Sequence, residues 1–136
     1  MKRILLIVFA LLSVAILAGC DKDEVSEPSA QERILGKWKF ISLVTETTKP
    51  SQPSQVNTEY GAEGSYFDFR TDGNLYYSFE DDEEAQTETY SIENETVLRI
   101  GGEACTIKEL TSQKLVFELV IVNPANTRKQ TFNLSR

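Results

Sequence analysis

From Gly36 to the C-terminus, apolar and polar residues alternate with a period of two, in short runs rich in β-branched and aromatic side chains separated by turn signals. No interval between these runs holds a crossover helix, so successive strands must pair antiparallel. Eight strands are expected. Trp38, Phe40 and Val44 share one face of the first, over residues 37–46. Phe67 and Phe69 mark the second, and Thr71-Asp72-Gly73-Asn74 turns the chain into a third that carries Leu75, Tyr77 and Phe79. Tyr90 with Ile92, Val97 to Ile100, and Cys105 with Ile107 supply the next three, and Gly101-Gly102 forms a turn. Residues 114–122 are expected to form the longest strand, and 129–136 close the chain with Phe132 and Leu134 facing inward.

An open sheet of this size leaves two edges of unpaired backbone, and closing it removes both. The expected fold is therefore all-β, an eight-stranded antiparallel up-and-down barrel, with a two-sheet sandwich as the alternative. Such a barrel is either filled by its own side chains or holds one small ligand. Strands of about 5 to 9 residues fall short of the 9 to 11 that a transmembrane barrel uses. Just before the first strand, Ser29-Ala30-Gln31-Glu32 has capping-box spacing and Gly36 a stop signal, which predicts one short helical turn.

The N-terminus follows a different logic. Lys2 and Arg3 precede an apolar run from Ile4 to Ala18, shorter than the roughly 20 residues of a membrane span, so residues 1–19 are expected to be a signal peptide. The run ends in Leu17-Ala18-Gly19-Cys20, which resembles the lipobox of bacterial lipoproteins and implies lipidation at Cys20. Lys22, Asp23 and Glu24 resemble the export signal that sends lipoproteins of the Bacteroidota to the cell surface. These resemblances imply an outer-membrane, lipid-anchored protein, surface-exposed or, alternatively, on the periplasmic face. Residues 20–31 are polar and contain Pro28, as suits a lipidated flexible tether, which leaves 32–136 for the barrel domain.

Composition narrows the function. The chain has no histidine, which excludes Ser-His and Cys-His nucleophile pairs and imidazole metal cages. Its net charge is −7, and loss of Lys2 and Arg3 would leave 12 basic against 21 acidic residues, a poor match for nucleic acid. With Cys20 lipidated, Cys105 has no partner in the chain and reads as a small buried hydrophobe. The acidic run from Glu80 to Glu84 lacks the spacing and glycine of a calcium loop, so no metal site and no cofactor are expected. Nothing points to an enzyme.

Gly36-Lys37-Trp38, after a helical turn and at the start of the first strand, resembles the Gly-x-Trp signature of the lipocalins. Tyr66 to Phe69 leading into Asp72-Gly73, then Tyr90-Ser91-Ile92, then Leu110-Thr111 before an apolar strand are similar to the lipocalin-like domains of small Bacteroidota lipoproteins. The resemblance implies a barrel closed at one end by Gly36 and Trp38, with a last-strand Arg, either Arg128 or Arg136, packed across the indole. It also implies binding of a small apolar ligand, whereas the lipocalins' Thr-Asp-Tyr signature has no counterpart here.

The inward aromatic residues Phe40, Phe67, Phe69, Tyr77, Phe79, Tyr90 and Phe117 are the candidate ligand contacts. So many rings in a narrow barrel leave at most a small, aromatic-lined cavity. Residues 45–63, with Pro50 and Pro53, are expected to be a lid over the mouth or a disordered excursion. Ile41, Leu43, Val116, Val120 and Val122 alternate with inward positions and should form an outer patch that takes a protein partner or a second copy, unless the chain itself covers it. The alternative to ligand capture is a structural or partner-binding surface lipoprotein with a filled barrel.

Overall fold

A computed structural model describes residues 26–80 and 84–136. The expected signal peptide, the lipidation site Cys20 and the export signal Lys22, Asp23 and Glu24 lie outside the described residues, as does the middle of the acidic run. The elements are α1 (Ala30–Ile34), β1 (Gly36–Thr48), β2 (Gln55–Tyr60), β3 (Tyr66–Phe69), β4 (Asn74–Ser78), β5 (Gln86–Glu93), β6 (Val97–Ile100), β7 (Glu103–Leu110), β8 (Lys114–Val122) and β9 (Thr127–Ser135). Every pairing is antiparallel, and β1 pairs with β9, so β1 and β3 to β9 close as an eight-stranded barrel with β2 as an extra strand.

The barrel meander follows the turn chemistry. Between β3 and β4, Gly73 takes φ +79° and the Asp72 carboxylate accepts the Asn74 amide at 2.9 Å. Gly101 and Gly102 take φ +57° and +91° between β6 and β7, a conformation that costs a side-chain-bearing residue energy.

Two expectations about β1 are corrected. It has 13 residues and is longer than β8, which has nine. Its register against β9 also shifts between Phe40 and Ser42, with Ile41 as the extra residue of a β-bulge. One inserted residue reverses the facing of everything beyond it. Leu43 is thus paired with Phe132 and packs against the core, while Val44 lies on the outer face expected for Leu43. Ile41, Val120 and Val122 are outside as expected, at 39%, 49% and 72% exposure, and Val116 pairs with Asn133 on the same face. They do not merge into one apolar patch: Asn133 donates to the Ser42 hydroxyl at 3.2 Å, and Lys129 pairs with Glu46 at 2.6 Å between the valines of β8 and β2.

Residues 45–63 are neither lid nor disordered excursion. β1 runs on to Thr48, turns, and returns as β2 on the same edge of β1 that β3 uses further down. β2 and β3 thus form one interrupted strand, broken at 61–65, where the Gly61 amide donates to the Ile41 carbonyl at 2.9 Å. A Cβ on Gly61 would lie 2.2 Å from the Phe40 carbonyl oxygen, so only glycine lets the break sit against the bulge. All six residues of β2 are exposed, because the hairpin projects beyond the barrel.

The two ends of the barrel differ. At the closed end α1 plugs the opening: Ser29 caps it, with both halves of the capping box formed with Glu32, and Ala30 and Ile34 are fully buried. The Trp38 indole N–H donates to the Ile34 carbonyl at 2.8 Å, tying strand to helix. Of the two candidate arginines, Arg136 packs over the indole, 3.8 Å from the ring centroid, and donates to the carbonyls of Ile34 and Leu35. Gly36, at φ +104°, carries the chain between helix and strand beside this guanidinium. Above them Trp38, Phe69, Leu75, Leu98, Leu115 and Leu134 fill the lower barrel, none more than 1% exposed.

Candidate functional site

Toward the other end the packing opens. A cavity of about 290 Å³ lies among Phe67 and Leu75 on β3 and β4, Tyr77 and Phe79 beside them, Cys105 on β7, Phe117 and Leu119 on β8, and Phe132 on β9. Period-two alternation places these side chains on the inner surface of their strands. The rings pack edge to face or stacked: Phe67 meets Tyr77 at 5.4 Å and Phe79 at 5.7 Å between centroids, and Phe117 stacks on Phe132 at 4.8 Å. The walls are therefore rigid and apolar.

Four of the seven expected contacts, Phe67, Tyr77, Phe79 and Phe117, line the cavity. The other three do not. Phe40 stands behind the wall against Phe67 and Phe79, at 5.8 and 5.2 Å. Phe69 and Tyr90 meet edge to face at 5.0 Å in the filled part, where the Tyr90 hydroxyl donates to the Arg70 carbonyl at 2.8 Å. Burial raises the Tyr90 pKa above its ordinary value, so the phenol stays protonated as a structural donor.

Polar groups in the lining escaped the sequence reading. Glu88 and Glu103 reach it from β5 and β7, beside the Gly101-Gly102 turn. A Cβ on Gly101 would lie 2.8 Å from a Glu88 carboxylate oxygen, so the glycine makes room for that side chain. Tyr77 donates to the Gln86 side chain at 3.0 Å, and its pKa is raised by burial and by the Glu88 charge. Cys105 is buried, and its thiol is pushed up to about 11 by burial and by Glu103. It is a proton-bearing wall group at neutral pH, not a nucleophile. Among the described residues the lining contains no lysine and no arginine.

A second, polar hollow lies on the inner side of the β1–β2 hairpin, lined by Thr45, Thr47, Gln55, Asn57, Glu59, Arg128 and Gln130 along with Val56. It lacks the apolar surface that would hold a small molecule out of water.

Comparison with known proteins bears on the fold. The sequence model of the family described as a lipocalin-like domain matches residues 34–117, more than half of the chain. A solved structure of a bovine odorant-binding protein, a deswapped triple mutant, is 18% identical, with 76% of this chain and 74% of that one covered and a TM-score of 0.44. No curated protein matches.

Proposed function

The chain belongs to the lipocalin-like domain family, and from that premise we propose that it holds a small apolar molecule in the barrel mouth while acyl chains on Cys20 fix it to the outer membrane. The cavity carries this reading. At about 290 Å³ it lies at the lower end of the range for small-molecule sites, and its walls are apolar with few polar groups. A wholly filled barrel would have closed it, as the same strands do below Phe67. The fold is that of binding proteins, typically non-enzymatic. The anchor rests on the lipobox-like Leu17 to Cys20, and display at the surface on Lys22, Asp23 and Glu24.

Calorimetry with 1-decanol, a neutral apolar probe, tests the cavity. Saturable binding to the wild-type chain is expected, with a rise in Tm that grows with ligand concentration. Leu119→Trp, which puts a large ring into the lining, should weaken binding about tenfold or more. Absence of saturable binding to the folded wild-type chain would overturn the reading. Trp38 is a poor reporter, because it is buried at the opposite end.

A further inference from the structure

The distribution of charge inside the mouth points beyond an apolar guest. Among the described residues Glu88 and Glu103 are the carboxylates of the lining, they lie beside one tight turn, and neither forms an ion pair there. Both occupy inward positions: Glu88 is paired with Leu75, and Glu103 with Ile100, whose side chains face the same interior. Inward positions at a barrel mouth that meets only water need no charge of one sign. Between the carboxylates and the rings, Cys105 is 3% exposed and presents to the cavity a thiol without a hydrogen-bond partner among the described residues. The five rings of the lining, Phe67, Tyr77, Phe79, Phe117 and Phe132, add the negative faces of their π systems. Arg128 lies in the separate hollow with Glu59, and among the described residues the aromatic cavity has no positive group.

We propose that the cavity selects amphipathic cations, the apolar body among the rings and an ammonium head between Glu88 and Glu103. This deepens the binding reading above and rests on it. An ammonium at the mouth gains two carboxylates and the ring faces, and it keeps part of its hydration because the carboxylates are exposed. An anion of the same shape meets only repulsion. The carboxylates therefore set the sign of the guest, and the rings its apolar character.

The test compares three probes of equal chain length, decylammonium, 1-decanol and decanoate, by calorimetry on the full chain at low salt. Decylammonium should bind about tenfold tighter than 1-decanol, and decanoate weaker than both. In Glu88→Gln/Glu103→Gln the ratio of amine to alcohol affinity should shrink to about twofold, with circular dichroism and a cooperative thermal transition checking that the variant is folded. Equal binding of amine and alcohol by the wild type, or a preference that survives the double substitution, overturns the cation proposal and leaves the apolar-ligand reading standing. If none of the three binds to the folded chain, both fall.

Discussion

Cys105 shows how a position in the barrel decides what a side chain can do. In sequence it is a cysteine between Ala104 and Thr106 on an alternating strand, and its burial was legible from that alternation alone. Its place in the cavity wall was not, because the cavity depends on where seven strands converge. Its thiol titrates near 11 in the fold against an ordinary value of 9.0. Below pH 9.0 both folded and unfolded chains keep the proton, and the full contribution to stability is present. As pH rises from there toward about 11 the unfolded chain ionises first, so stability falls across that window. Urea unfolding of the wild type and of Cys105→Ala over this range should show a steeper decline for the wild type; parallel curves would remove the thiol from the account. The carboxylates were harder to read than the rings. A glutamate on a strand ordinarily faces water, so Glu88 and Glu103 carry no sequence signal of the inward parity that Tyr90 and Cys105 impose on them.

The bulge in β1 separates what alternation can and cannot reveal about an element. Six of the eight barrel strands follow the period-two pattern closely enough for their inner faces to be read from their apolar residues, while β7 has a bulge of its own at Lys108, between inward Ile107 and inward Leu110. In β1 the inward apolar residues are Trp38, Phe40 and then Leu43, a step of three where two is the rule. That step was the available sign, masked by the neighbouring Ile41 and Val44, which allow an unbroken alternation. Substitution distinguishes the two faces. Leu43→Lys places an ammonium against Phe132 and should cost about 2 kcal/mol or more, whereas Val44→Lys, on the outer face beside Thr131, should change stability by less than about 1 kcal/mol. Denaturant midpoints of the two variants check this, and equal losses would contradict the bulged register. β2 was missed for a different reason. Gln55, Asn57 and Glu59 alternate with Val56, Thr58 and Tyr60, but both faces are in water, so no apolar face marks the strand.

For the whole molecule, closure was legible because eight short strands without helices have few other ways to satisfy their edges. Division into a filled half and an open half was not, since the same residue types, Phe and Leu, line both. The proposed attachment to a membrane is a matter for the intact chain, and Cys20→Ala tests it. Acyl chains contribute roughly 0.8 kcal/mol per buried methylene, enough to hold an acidic domain without basic residues. Wild-type protein should sediment with membranes and the variant should not; a soluble wild type with an unmodified N-terminus would end the lipoprotein reading. The polypeptide joins the domain at Ser29, on the plugged end where Arg136 clasps Ile34 and Leu35, while the Gly101-Gly102 turn and the cavity lie at the far end. Were Cys20 to carry the proposed anchor, the barrel would be attached like a cup at its stem, its rim at the end away from the point of attachment.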